Sequence, residues 1–378
     1  MKTIYLDNAA TTPLAEEVID AMVDTMKMNF GNPSSTHSFG QEAKILIENV
    51  RRQVADYLHV SPAEIIFTSC GTESNNMIIK SSVEHLGVER IISSPLEHKC
   101  VSESILDMKS RKGVEVNYIR PNEKGDIDLN KLEELLKASD KKTLVSLMHA
   151  NNEIGNLNDI DTIGELCRKY DAVFHTDTVQ TMGHYKHDAS ALKVHFMVGA
   201  AHKFHGPKGI GFLYAKAGTK FSPLMHGGAQ ERNQRGGTEN VYGMIGIAKA
   251  LEMAYSAMDE HATYIKGLKA YFIEGLQKQF PGISFNGASG DVENSLYTVL
   301  NVRFPSVADG DMLLFQLDIE KISASGGSAC SSGTSVGSHV LSALNPTATG
   351  AAVRFSFSKN NTRTEIDRVL EVLKKIVA

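Results

Sequence analysis

Lys203 stands between an apolar run and a Gly-Pro turn, in Ala201-His202-Lys203-Phe204-His205-Gly206-Pro207-Lys208-Gly209. A lysine fixed in a semi-buried cleft has a lowered pKa and forms a Schiff base with an aldehyde, whereas a solvated lysine stays protonated. Most lysines are of the second kind, so the surroundings decide. In Phe174-His175-Thr176-Asp177-Thr178-Val179-Gln180 an apolar run ends in a carboxylate and an amide. Ligands of open α/β sheets gather at the carboxyl ends of strands, which puts Asp177 and Gln180 in the same crevice as neighbouring strand-to-helix turns. Taken alone, Asp177 also reads as a cap after a strand. Phe67-Thr68-Ser69-Cys70-Gly71-Thr72-Glu73-Ser74 is one such turn. It aims backbone N–H groups and a helix dipole at one point, a seat for phosphate. By itself it reads first as an ordinary turn with Thr72 as helix cap.

Cysteines occur at 70, 100, 167 and 330, with no CxxC pair to signal a metal knuckle or a disulfide framework. Three read as small buried apolar residues. Cys330 differs, because it sits in the middle of a Ser- and Gly-rich segment, 323–338. A thiol in such a polar loop is exposed and oxidisable, which points to a thiol that is used. His98, in Glu97-His98-Lys99, reads by itself as a core or capping histidine.

The elements that must position these groups follow from periodicity. Residues 41–58 carry an apolar stripe at separations of three and four, a helix. Ser61-Pro62-Ala63-Glu64 has the form of a capping box with proline at the first position, ahead of a strand at 65–67. Further strands are expected at 90–93, 114–119, 143–148, 172–175, 196–198 and 210–214, with helices at 129–138 and 160–170 between some of them. The alternation predicts an α/β fold whose large domain has a mostly parallel sheet flanked by helices. A long helical region is expected at 241–279, then strands at 297–303, 312–317 and 353–357 and a closing helix at 363–377, together a smaller α+β domain. The expected boundaries are 15–255 for the large domain, and 1–14 with 256–378 for the small domain carrying the Cys330 loop.

With 378 residues, 42% of them hydrophobic and 22% charged, the chain can bury a large interior. The formal net charge is −5 and no dense Lys/Arg block supplies a footprint for nucleic acid. Asp7 interrupts the N-terminus before any signal-peptide core, and no apolar stretch is long enough to span a bilayer, so a cytoplasmic address is expected.

Seven motifs together resemble the cysteine desulfurases of the NifS/IscS type, in the class V aminotransferase superfamily with PLP fold type I. They are Leu6-Asp7-Asn8-Ala9-Ala10-Thr11-Thr12, Phe30-Gly31-Asn32-Pro33-Ser34-Ser35, the Gly71 turn, Glu97-His98-Lys99, Ala150-Asn151-Asn152-Glu153-Ile154-Gly155, the Lys203 motif and Ser328-Ala329-Cys330. They agree in identity, order and spacing over nearly the whole chain. The resemblance implies pyridoxal 5′-phosphate (PLP) as cofactor and L-cysteine as substrate, converted to L-alanine with sulfur passed to Cys330 as a persulfide. Lys203 would form the Schiff base, Asp177 would hold the pyridine nitrogen, and Gln180 and Asn152 would bond the phenolic oxygen. His98 would stack on the ring and move protons near the substrate thiol. Gly71, Thr72 and His202 would hold the phosphate, joined by Thr238 from the other subunit of a homodimer. Arg354 would clamp the substrate carboxylate, with Asn32 nearby, and no metal is implied.

The resemblance departs at Ala200, where many members have a phosphate-binding serine, and in the glycine and serine content after Cys330. The chain also stops at Ala378, where several members carry a longer tail that helps dock an iron–sulfur scaffold. A sulfur-acceptor protein such as that scaffold is the expected partner. Other readings are a selenocysteine lyase, another class V aminotransferase-fold enzyme, or an inactive sulfur-assembly binding subunit. A simple transaminase has no need of Cys330, and intact Lys203, Asp177, His98 and Cys330 speak against inactivity.

Overall fold

A computed structural model describes residues 3–219, 222–326 and 337–377; Cys330 lies outside them. The chain opens with strand β1 (Ile4–Tyr5), helices α1 (Glu16–Met28) and α2 (Ser38–Tyr57), and β2 (Ile65–Thr68). The stripe expected on residues 41–58 is the buried face of α2, with Ala43, Ile47, Val50 and Val54 turned inward. Ser61 and Glu64 form the expected reciprocal capping box, closing a single 3-10 turn before β2.

Then follow α3 (Gly71–Glu84), β3 (Arg90–Ser93), α4 (Lys99–Lys112), β4 (Glu115–Tyr118), α5 (Leu129–Lys137), β5 (Thr143–Ser146), α6 (Ile160–Lys169), β6 (Val173–Thr176), β7 (Phe196–Ala200) and β8 (Gly211–Ala215). They build one seven-stranded sheet in the order β2-β8-β7-β6-β5-β3-β4. β8 runs antiparallel to both its neighbours, and the other pairings are parallel. The central strands are buried on both faces, as helix-covered parallel strands must be. Their carboxyl ends share one edge, where Asp177 follows β6 and Lys203 follows β7.

The long helical region is two helices, α7 (Val241–Ser256) and α8 (Met258–Gln279), parted at Ala257, whose φ of −125° leaves the helical range. Beyond them β9 (Ser284–Phe285), β10 (Val299–Phe304) and β12 (Ala351–Ser356) form a three-stranded antiparallel sheet. The remaining elements there are α9 (Gly310–Ile319), β11 (Ile322–Ser323), α10 (His339–Leu344) and α11 (Arg363–Ile376). The strand expected at 312–317 is a correction, since that segment lies inside α9. Asp309 caps the helix by accepting the Met312 N–H, and Leu313 and Leu317 bury one face while Met312, Phe315 and Ile319 stay exposed. An unbroken apolar run carries no period, so only the cap distinguishes helix from strand.

The N-terminal residues join the C-terminal part: β1 pairs in parallel with β11, and Asp7 bridges Ser356. One hydrophobic cluster runs from Val18 to Leu251, and another gathers Ile4, Leu6 and residues from Ile265 onward. Among the described residues no helix is long and apolar enough to cross a membrane.

Candidate functional site

At the carboxyl edge of the large sheet lies a cavity of about 210 Å³. The turn after β2 enters it first. α3 begins at Gly71, so its first-turn amides, which have no partner inside the helix, face the cavity together with Thr72. Only glycine fits at this start, because a Cβ on Gly71 would lie 2.8 Å from Val179 Cγ2.

The turn after β6 supplies Asp177, which is 6% exposed. Its Oδ1 accepts the Val179 N–H at 2.9 Å and its Oδ2 accepts from Asn75 Nδ2 at 2.8 Å, so the carboxylate is held from two sides. Gln180 also lines the cavity and donates from Nε2 to the Ala9 carbonyl at 3.1 Å.

Lys203 ends the short turn after β7, and its Nζ donates to the carbonyls of Ala9 and Ala10 at 2.6 and 2.9 Å. The N-terminal Leu6–Thr12 motif thus fixes where this amine rests. His202 meets Thr11 Oγ1 at 3.2 Å, and burial, followed by the charges of Lys203 and Lys208, lowers its pKa to about 4. It stays neutral. His98 caps α4 with its ring nitrogen, and burial depresses its pKa against the opposing pull of Asp177, with Lys203, His339 and Lys99 adding to the depression.

Arg354 comes from β12 and is 1% exposed. Its Nη2 donates to Asp7 Oδ1 at 2.7 Å and its Nη1 to the Asn152 carbonyl at 3.0 Å, while its Nε is buried with no partner among the described residues. A buried guanidinium donor left over beside a cavity suits an anion.

Gly71, Thr72, His98, Asn152, Asp177, Gln180, His202, Lys203 and Arg354 therefore meet around one space. Ala200, where a serine was noted as missing, is buried on the same wall. Asn32 and Thr238 do not line the cavity; both are exposed, Asn32 accepting the Ser34 N–H in a local turn. Thr238 ends a loop anchored by two ion pairs. Glu231 is clasped by Arg51 at 2.7 and 2.8 Å, and Arg235 binds Glu73 of the Gly71 helix at 2.8 Å. This loop is not the bland solvated segment its composition allows, since Glu231 is buried and Glu231, Arg232 and Asn233 all take positive φ.

Several cavity residues carry no mark in the sequence reading. Asn75 lies one helical turn after Gly71, on the same face, a spacing that could have revealed it. Cys100 reads from the sequence as one of three passive thiols, yet it and Cys70 line the cavity, and of the described cysteines only Cys167 is fully buried. Cys100 falls two residues after the capping His98, where a cap's partner amide belongs. His339 and Glu153 bracket the end of the Cys330 segment: Ser338 Oγ bonds Glu153, and His339 Nε2 meets the Glu97 carbonyl at 2.9 Å. At the segment's other end, Ser325 exchanges backbone hydrogen bonds with Arg354.

Residues 4–369 match the aminotransferase class-V family. A protein named cysteine desulfurase IscS from Dictyoglomus turgidum is 42% identical over 380 residues, which span 100% of this chain and 95% of the relative. A solved structure titled NifS-like protein superposes with a TM-score of 0.90 at 36% identity, covering 99% of each chain. Another, titled SspA in complex with cysteine, gives a TM-score of 0.79 at 31% identity over 95% of this chain and 100% of its own.

Proposed function

From the premise that the chain belongs to the class-V aminotransferase family, as a PLP-dependent cysteine desulfurase, we propose the role that each cavity residue takes in removing sulfur from L-cysteine. The observation that carries the assignment is the convergence of Lys203, Asp177, the α3 amides and Arg354 on one cavity. The substrate is supported by the cysteine bound in the related SspA structure.

The donor set fits PLP. The glycine-started α3 suits a phosphate, the anchored Asp177 carboxylate suits a protonated ring nitrogen, and the Lys203 amine, held by the Ala9 and Ala10 carbonyls, lines the same cavity. Bound there, the cofactor supplies an aldehyde for the substrate amine and a ring that takes up electrons as the Cα–H bond breaks.

The chain's own groups do the rest. Asp177 keeps the proton on the ring nitrogen, and Gln180 and Asn152 hold the phenolic oxygen. Arg354 orients the substrate carboxylate through donors not spent on Asp7 and Asn152. Lys203 Nζ takes the Cα proton, starting from its rest beside Ala9 and Ala10, and His98 moves the proton at the substrate sulfur. Cys330 attacks that sulfur as thiolate, the substrate Cβ–S bond breaks with its electron pair left on the carbon side, and Cys330 keeps the sulfur as a persulfide while protonation of the carbon gives L-alanine.

Residues 15–255 form the large domain of this proposal, and 1–14 with 256–378 the small one, a division supported by the two hydrophobic clusters. The working unit is a cytoplasmic homodimer in which Thr238 of one subunit reaches the phosphate of the other, and an acceptor protein such as an iron–sulfur scaffold collects the sulfur. The exposed Thr238 at the tip of an anchored loop supports the sharing.

The test is a stoichiometry. Purified yellow protein given cysteine and a thiol reductant yields equimolar alanine and sulfide, while Lys203→Ala, folded by circular dichroism, yields neither. Turnover of the variant within a few-fold of wild type, or formation of a keto acid in place of alanine, overturns the assignment.

A further inference from the structure

A file of buried and half-buried polar side chains runs beside the cavity. Ser146 Oγ meets His175 Nδ1 at 2.9 Å, and His175 Nε2 meets Asn75 Oδ1 at 2.9 Å. Asn75 Nδ2 reaches Asp177 Oδ2 at 2.8 Å and Cys100 Sγ at 3.3 Å, and Cys100 Sγ lies 3.0 Å from His98 Nδ1. None of these bonds has a free choice of direction. The Cys100 backbone N–H donates to His98 Nδ1 at 3.2 Å, so that nitrogen is an acceptor and the thiol must give it the S–H. The sulfur is then an acceptor for Asn75, whose second amide hydrogen serves Asp177. Asn75 Oδ1 takes the hydrogen of His175 Nε2, and His175 Nδ1 takes that of the Ser146 hydroxyl.

We propose that Cys100 is a positioning residue: its S–H holds His98 as the neutral tautomer with the proton on Nε2, and its sulfur ties that imidazole through Asn75 to the Asp177 carboxylate. The consequence for the reaction rests on the reading of His98 as the group that moves the proton at the substrate sulfur. A neutral imidazole with a fixed Nε2–H approaches that sulfur as a donor already in place, with no tautomer exchange before each turnover.

The surroundings keep the arrangement intact over the working pH range. Burial pushes the Cys100 thiol up to about 12, so it remains an S–H donor, and burial lowers His175 to about 4, so it remains neutral. The charged and titratable groups that face His98 are Asp177, which favours the imidazolium, and Lys203, His339 and Lys99, which disfavour it. A hydrogen bond given to Nδ1 acts with the second set, because it is lost when that nitrogen is protonated. Serine at position 100 supplies an equivalent O–H, and alanine supplies nothing.

The test reads the imidazole directly. Holoenzyme labelled with ¹⁵N in its histidine rings is followed by long-range ¹H–¹⁵N spectra across pH, and the His98 signals are assigned by their loss in His98→Gln. The expected result is a protonated Nε2 and a bare Nδ1 at neutral pH. In Cys100→Ala the midpoint for protonating His98 rises by roughly half to one unit, about three- to tenfold in proton affinity, and Cys100→Ser restores it. The acid limb of kcat/KM moves with the same midpoint. A proton on Nδ1 in the wild type, an unmoved midpoint in Cys100→Ala, or a serine variant that behaves like alanine overturns the proposal. The spectra separate it from the functional reading: a protein that releases no sulfide yet shows the Nε2–H tautomer and the Cys100-dependent midpoint upholds the positioning and sinks the desulfurase role of His98.

Discussion

Replacing Glu231 by alanine removes a buried carboxylate that satisfies three donors. Oε2 accepts from Arg51 Nη1 at 2.7 Å and from the Phe67 N–H at 2.9 Å, and Oε1 accepts from Arg51 Nη2 at 2.8 Å. The two side chains are 4% and 2% exposed. Breaking a buried pair by deleting one partner costs about 3–5 kcal/mol, because the other charge stays behind. Arg51 keeps the Ile65 carbonyl at 2.9 Å and a half-exposed Glu48 at 3.2 Å, which puts the loss near the bottom of that range. Glu231, Arg232 and Asn233 hold φ of 42°, 57° and 64°, a left-handed turn of non-glycine residues that loosens once its anchor is gone. The expected net loss is about 3 kcal/mol, read by urea unfolding under circular dichroism, with weaker cofactor retention because the loop that ends in Thr238 moves. A paired change, Arg51→Met with Glu231→Leu, should recover most of the stability, whereas breaking the exposed Lys169–Glu133 contact should cost little. A Glu231→Ala loss no larger than that surface control, or a double variant as unstable as the single one, would refute this account of the loop.

Cys330→Ser should stop sulfide release while the protein stays yellow and still changes its spectrum on adding cysteine, since a hydroxyl is a poor thiophile; continued desulfuration without an added nucleophile argues against Cys330 as acceptor. Thr238→Ala should weaken cofactor retention, and mixing it with Lys203→Ala should restore activity, because a shared site lets one of the two cavities in a heterodimer hold both residues. No recovery despite proven heterodimers speaks for a site made within one chain. Lys269 is fully buried against Ser295 and the Leu296 carbonyl, and desolvation lowers its pKa to about 7. Its folded pKa lies below its unfolded one, so between about pH 7 and 9 the unfolded chain binds more protons and stability rises with pH. Lys269→Met should flatten that rise in denaturation curves at several pH values, and an unchanged slope would clear Lys269 of the effect.

Much of the large sheet was legible because each strand is a short apolar run closed by a polar turn, as at Phe67–Ser69 and Phe174–Asp177, and the helices between them carry a face. The same clarity failed at α9, where Met312-Leu313-Leu314-Phe315 is apolar on every side and only Asp309 betrays the helix. Site residues that sit on strand ends and carry a reactive group were readable from type and place. Asn75 and Cys100 were not, since an amide and a thiol inside helices have many ordinary uses and their meaning lies in the partners that folding brings from β6 and α4. The left-handed turn at Glu231–Asn233 was likewise hidden, because nothing short of glycine marks a positive φ in a sequence. Asn32 and Thr238 stay outside the cavity, and no local pattern in their loops marks that distance.

The first dozen residues leave the ribosome before anything they bind exists. Leu6 donates its N–H to the Ser323 carbonyl and accepts from the Ser356 N–H, and Ala9 donates its N–H to the Ser356 hydroxyl oxygen, while the Ala9 and Ala10 carbonyls hold the Lys203 amine. A nascent chain can therefore assemble its seven-stranded sheet, with Lys203 and Asp177 already in place, and hold the strap that parks the amine from one side only, through Gln180 and His202. The bonds from its other side wait until Ser323 and Ser356 have cleared the exit tunnel. Translation itself thus delays the full bracing of the Lys203 amine until Ser356 has been made, so a product that stops short of it carries the reactive side chains on a strap held from one side.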